Sequence, residues 1–158
     1  MENINIIRRE LIFTKESYAD RNEILNCLIS RADELHLLNN KAEYLKDVLS
    51  REEAMSTAVG FNIAIPHGRS SGVKTPFIAY MHTEKPFVWD KSSTNQVDLI
   101  FLIGVPETNE NNMHLRFLSE ISKKLMDDDF RDALRRASSE DEVFSMLEDI
   151  NQNVQKVN

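Results

Sequence analysis

The chain has one cysteine, Cys27, in 158 residues, so no internal disulfide can form. That agrees with a reducing compartment, where thiols stay free. Glycine and proline are scarce, four of each. No Gly- or Pro-rich linker divides the chain, and the GxxxxGK[ST] loop that cradles nucleotide phosphates is absent. A sugar kinase drawing directly on ATP is disfavoured by that absence. No apolar run approaches the ~20 residues of a membrane-spanning helix. The start, MENINIIRRELIF, lacks the basic region and longer apolar core of a secretory signal. The expected location is cytoplasmic, without direct membrane insertion. Positive charge is also in deficit: 19 Lys and Arg against 26 Asp and Glu give a formal net charge of −7. Nucleic-acid recognition rests on basic patches and is disfavoured, whereas a basic protein partner would be steered toward the chain.

What is present is an alternation of apolar strands and amphipathic helices in a chain of single-domain length. Ile6 to Phe13 reads as a first strand. Ile24, Leu25, Leu28, Ile29, Ala32 and Leu35 form a helical stripe from about Tyr18, capped by Ser17 or Asp20. Asn39 or Asn40 caps a second helix, which runs to about Glu53. Asn62 to Ile65 is a short strand that Pro66 is expected to stop. Pro76 to Thr83 reads as a strand and Phe87 to Asp90 as another short one, followed by a polar turn, Lys91 to Gln96. Val97 to Val105 is almost continuously apolar and β-branched, as a strand covered on both faces should be. A third helix carries Met113, Phe117, Leu118, Ile121 and Leu125. A fourth begins at Asp127-Asp128-Asp129, and a fifth is capped by Ser138 or Ser139 in a Ser-x-x-Glu box. The expectation is a single α/β domain over 1–150, with a mixed β-sheet flanked by helices on both faces, and a frayed C-terminal tail over 151–158.

Four histidines are candidates for chemistry. His67 stands between Pro66, which fixes φ and has no N–H, and Gly68, which lets other groups approach closely. Its place at a strand end suits an imidazole that is largely neutral at pH 7 for nucleophilic or acid–base work. Spacing alone leaves a turn histidine without chemistry as the other reading. His114 falls in the first turn of the third helix, where unpaired N–H groups favour an anion; the alternative is a histidine at the edge of the apolar face. Arg51 near the end of the second helix is a cation at a dipole's negative end, or a charge partner for a ligand. His36 reads as a surface residue near a helix end, and His82 as a strand side chain.

Other chemistries fare less well. Cys27 is read as a small, partly buried side chain rather than a phospho-acceptor thiolate, since it is mid-helix with no phosphate-cradling loop nearby. Two histidines do not make a zinc site, because no Cys/His pair has ligand spacing. Asp127 to Asp129 reads as a solvated or capping run, not a metal cluster. Ser56 and Thr57 lack an acid placed to orient a histidine base.

Arg51-Glu52-Glu53, Ser56-Thr57, Gly60 and Ile63-Ala64-Ile65-Pro66-His67 together resemble the signature of the mannitol/fructose-type enzyme IIA (type 2) of the phosphoenolpyruvate-dependent sugar phosphotransferase system. Val97 to Ile103 and His114-Leu115 fall in the family's order and rough spacing, so the likeness runs from about Ile7 to Ile150. The polar turn departs from it, since many relatives carry a glycine there. The resemblance implies a mixed sheet flanked by helices and a protein-histidine phosphotransferase. His67 would accept phosphate from the histidine-containing phosphocarrier protein and pass it to an enzyme IIB during carbohydrate uptake. His114 would hydrogen-bond the phosphoryl group and Arg51 would neutralise its charge, with Thr57 as a subsidiary hydroxyl donor. No cofactor and no metal is implied, and a homo-oligomer is compatible with it. The alternative is a nitrogen-type regulator of the same fold, which controls target proteins by its phosphorylation state. Docking needs an apolar patch around His67, for which Phe61, Val73 and Phe77 are candidates.

Overall fold

The computed structural model describes residues 6–90, 94–107 and 113–156, with backbone alone for 113–114 and 154–156. Among the described residues, one mixed sheet runs β1-β5-β6-β3-β2, and β4 also pairs with β6. The strands are β1 (Ile7–Glu16), β2 (Ala58–Gly60), β3 (Ile63–Ala64), β4 (His67–Ser70), β5 (Phe77–Val88) and β6 (Gln96–Pro106). The helices are α1 (Arg21–Glu34), α2 (Lys41–Ala54), α3 (Met113–Leu125), α4 (Asp128–Arg136) and α5 (Glu140–Lys156). No described helix is long and apolar enough to cross a membrane.

Caps set the helix starts. The side chains of Asp20, Asn40 and Asp127 accept backbone N–H groups of the first turns of α1, α2 and α4. Asp127 is thereby a cap, and Asp128 pairs with Arg131. At α5 the Ser139 hydroxyl accepts from the Glu142 N–H at 3.3 Å, while the Glu142 carboxylate bonds Ser138. The alternation along β5 separates two cores. Phe77, Ala79 and Met81 face α1 and α2 with Leu25, Leu28, Tyr44 and Val48; Ile78 and Tyr80 face the other side with Phe117, Ile121, Val143 and Leu147. β6 is buried along nearly its whole length. A period of two with apolar residues in both phases gives such a strand two hydrophobic faces.

Three expectations differ from the fold. β5 is one strand rather than two, with a register irregularity against β6 between His82 and Phe87. A bulge keeps the strand going where a chain reading sees two segments. α5 continues past Ile150 to Lys156, and Asn151 is buried, so the expected tail is mostly helix. Most consequentially, the chain does not run into a loop after Pro66. β3 pairs Ala64 with Ile100 on β6, and β4 pairs His67 with Ile103, three residues on along both strands. The register survives the proline because the Pro66 carbonyl accepts the Ile103 N–H at 3.0 Å. The polar turn at 91–93 lies outside the described residues.

Two glycines are demanded by contact. A Cβ on Gly104 would overlap the Phe77 ring, and one on Gly72 would lie 2.5 Å from the Asn40 carbonyl oxygen. Gly104→Ala should therefore lower stability by about 1–3 kcal/mol, the usual range for an overpacked core. Urea denaturation measures it, and an unchanged midpoint would mean that the ring moves freely.

Beneath α4 lies a polar cluster. Arg135 bonds the buried Asp98 at 3.0 Å, and His82 Nε2 lies 3.8 Å from Asp98. His82 Nδ1 and the Tyr80 hydroxyl are buried without hydrogen-bond partners among the described residues. Burial lowers the His82 pKa, with Arg135 and Lys15 acting in the same sense and Asp98 against it. The unfolded chain then binds the proton more readily than the folded one. Stability from this group is full above its unfolded value of about 6.5 and is lost as pH falls toward and through the depressed folded value. Denaturation midpoints measured between pH 8 and 5 should fall less steeply for His82→Phe than for the parent chain, and parallel slopes would remove His82 from the account.

Candidate active site

His67 opens β4 and is partly exposed. Its Nδ1 lies 2.8 Å from the Ile65 carbonyl oxygen. A carbonyl can only accept, so Nδ1 carries the proton and the lone pair of the neutral ring sits on Nε2. The main chain two residues back thus sets the tautomer. Alternation puts His67 and Arg69 on the face of β4 opposite to Gly68. Their partners Ile103 and Val105 share that face. With Gly68, Leu115 and Leu118 these residues line a cleft of about 260 Å³. The strand pair forms its floor and the first two turns of α3 form its wall.

Gly68 explains how closely the second layer approaches from behind. A Cβ there would stand 3.4 Å from Val48 Cγ2 and 3.6 Å from Tyr44 Cε1. The buried Tyr44 hydroxyl donates to the Ile103 carbonyl at 3.0 Å, pinning the β6 residue that pairs with His67. Burial pushes the Tyr44 pKa far up, so the group stays a protonated donor.

Arg51 stands one turn past Val48, so its position belongs to the stripe that faces β4 from the α2 side. It does not line the cleft, and its guanidinium donates to the Met55 carbonyl at 3.1 Å. α2 runs antiparallel to β4: Gly72 abuts Asn40 and Tyr44, whereas Gly68 abuts Tyr44 and Val48. Extending that stagger brings Arg51 level with the start of β4, near His67 along the strand but behind it. His114 is the second residue of α3, beside Leu115 in the cleft wall; its side chain lies outside the described residues.

Thr57 is placed differently from expectation. It is 5% exposed, and both its hydroxyl and its N–H donate to the carboxylate of Glu52. A hydroxyl has one proton to give, so that donor is committed and does not face the cleft. Glu52 is itself buried and also accepts the Trp89 indole N–H at 3.1 Å. It ties the end of α2 to Trp89, the residue that follows β5. The sequence carried one signal for this: an acid near a helix C-terminus opposes the dipole and needs another reason to be there.

The docking candidates also change. Val73 and Phe77 are buried, and Phe61 is exposed at the opposite end of the sheet. Asn62, next to Phe61, bonds Leu99 on β6, four residues and about 13 Å from Ile103. The exposed apolar residue beside His67 is Leu115, 52% accessible. Cys27 is half-buried on α1, and burial raises its thiol pKa, which keeps it a poor nucleophile at neutral pH. No group of three or more His, Cys, Asp or Glu among the described residues could hold a metal ion.

The model of the family described as "Phosphoenolpyruvate-dependent sugar phosphotransferase system, EIIA 2" matches residues 5–150. A fructose-specific EIIA component of Haloferax volcanii is 30% identical, over 89% of this chain and 91% of its own. A 2-O-alpha-mannosyl-D-glycerate-specific EIIABC component of Escherichia coli is 27% identical over 94% of this chain. The chain spans only 23% of that relative's length. Among solved structures, the nitrogen regulatory protein IIA-Ntr of Neisseria meningitidis superposes with a TM-score of 0.80 at 28% identity, covering 90% of this chain and 97% of that one. A match over nearly the whole chain places it: the chain belongs to the EIIA 2 family of the phosphoenolpyruvate-dependent sugar phosphotransferase system.

Proposed function

We propose that this chain is a phosphoryl shuttle for carbohydrate uptake in the cytoplasm, with Nε2 of His67 as the accepting atom. The observation that carries the assignment is the 2.8 Å bond from Nδ1 to the Ile65 carbonyl, which leaves Nε2 the nucleophile. The Nε2 lone pair attacks the phosphorus of a phosphohistidine on the phosphocarrier protein. The donor's P–N bond breaks, its electron pair returns to the donor ring, and Nδ1–H of His67 stays on the carbonyl. The group then leaves for a nucleophilic side chain on an enzyme IIB. A IIB partner is supported by the Escherichia coli relative, whose name joins the A component to B and C components. Such transfer depends mainly on positioning and electrostatic stabilisation. His114, at the start of α3, would donate to the phosphoryl oxygens. Arg51 would release Met55, reach round the start of β4 and neutralise charge.

Reconstitution with phosphocarrier, its kinase and phosphoenolpyruvate, followed by mass-spectrometric mapping, should find phosphate on His67 alone, acid-labile and alkali-stable. Phosphate on His114, His82 or a serine would overturn the assignment. Arg51→Ala and His114→Ala should keep the denaturation midpoint and slow transfer by ~10²–10³, the usual loss of one stabilising donor. Full activity in Arg51→Ala would leave that arginine a helix-end cation.

A regulatory role is the second reading, favoured by the likeness to the IIA-Ntr protein. A shuttle needs a transient interface with fast dissociation. The phosphorylated protein should therefore discharge onto a purified IIB within seconds. Stable phospho-His67 with every IIB of the same cell, together with a non-transport partner bound in one phosphorylation state only, would favour regulation.

A further inference from the structure

We infer that Arg69 is a phosphoryl-binding residue of this site, the cation that meets the transferred group inside the cleft. The inference rests on His67 being the acceptor. Arg69 lies two residues after His67 on β4, so both side chains leave the same face of the strand about 6.6 Å apart at the backbone. Both line the cleft with Ile103, Val105, Leu115 and Leu118. The pairing of Arg69 with Val105 and of His67 with Ile103 fixes that relation through a buried strand, not through a loop.

Charge accounting supports the role. Other arginines on this side of the sheet have partners: Arg135 holds Asp98 and the Phe61 carbonyl, and Arg131 holds Asp128 and the Leu125 carbonyl. Arg69 is exposed and makes no ion pair among the described residues. Four of the other cleft residues are apolar side chains that cannot solvate a phosphoryl group. A guanidinium offers a planar fork of donors to two phosphoryl oxygens, which a lysine ammonium does not. Arg51, by contrast, stands behind the strand with one donor on Met55. The two arginines thus approach from opposite faces, and Arg69 alone does so without crossing the strand.

A docking contact with an acidic partner surface is the competing role, so the test removes the partner. Phosphoramidate is a small phosphoryl donor: its P–N bond breaks, ammonia leaves, and the Nε2–P bond of His67 forms. Single-turnover phosphorylation is measured with phosphoramidate and with saturating phosphocarrier for the parent chain, Arg69→Ala and Arg69→Lys, with His67→Ala as the blank. The expected result is a loss of at least ~10-fold with both donors for Arg69→Ala, short of the ~10²–10³ of a fully enclosed donor, and partial recovery in Arg69→Lys. Phosphorus NMR should show the phosphoryl group of Arg69→Ala titrating at higher pH, because a cation that favours the dianion has gone. A loss confined to the protein donor, or to its KM, overturns the inference in favour of docking. Unchanged rates with both donors overturn it in favour of a solvated cation. If phosphoramidate labels His67 and phosphocarrier does not, the shuttle reading fails while the comparison at Arg69 still decides. Labelling of His67 by neither donor ends both.

Discussion

β6 runs through the middle of the molecule with both faces covered, and its backbone holds the start of β4 through the pairing of His67 with Ile103. The bonds at this point form a chain. The Ile103 N–H donates to Pro66, the Ile103 carbonyl accepts the Tyr44 hydroxyl, and the Ile65 carbonyl holds His67 Nδ1. These polar groups are satisfied by the neighbouring strand segment and by α2 behind the sheet, as groups cut off from water need to be. The imidazole is therefore presented by rigid secondary structure. For the transfer proposed at His67, that geometry would lower the ordering cost, because a positioned nucleophile begins close to its reactive arrangement.

The two layers divide the labour around that strand. α2 reaches β4 from one side, and the missing Cβ of Gly68 lets Val48 and Tyr44 lie against the backbone. α3 closes the other side with Leu115 and Leu118 and brings a helix N-terminus to the cleft. In the proposed transfer a phosphoryl charge would face the oriented N–H groups and the Arg69 cation over an apolar floor. In the proposed shuttle the partner ring enters the same opening, so one shallow apolar face would serve both donor and acceptor. Leu115 is exposed there while the bulk of the α3 face is buried. An interface of this kind favours turnover over tight binding, which suits a shuttle.

At the far end of the sheet a second polar assembly does a different job. Arg135 joins Asp98 to the turn at Phe61. Phe61 and Asn62 both have positive φ, 56° and 62°, between the short strands β2 and β3. Side chains with a Cβ are uncommon there, and two such residues suit the tight hairpin turn whose twist matches its strands. The Arg131 guanidinium lies 4.1 Å from the centre of the Phe61 ring, and Arg135 bonds the Phe61 carbonyl. These contacts offset the backbone cost and hold the hairpin against β6, upstream of the site.

Local chemistry made much of this protein legible from its residues. Asp20, Asn40 and Ser139 announced their helices because a capping oxygen acts on N–H groups two or three residues away. The apolar run at 97–105 announced a doubly covered strand. The family signature around His67 was equally local, since it lies in one contiguous stretch. Partners distant in sequence were not legible. The committed Thr57 hydroxyl depends on where Glu52 turns at the end of α2, and the burial of Val73 and Phe77 depends on which helix covers them. The resumption of the strand after Pro66 required β6, more than thirty residues later in the chain, to supply the ladder. Arg69 joined the site for the same reason: only a strand pairing fixes which side of the backbone it shares with His67. Residue types and their spacing determine what a stretch can form; which pairs of stretches meet is decided by packing between elements, and that existed only once the sheet was assembled.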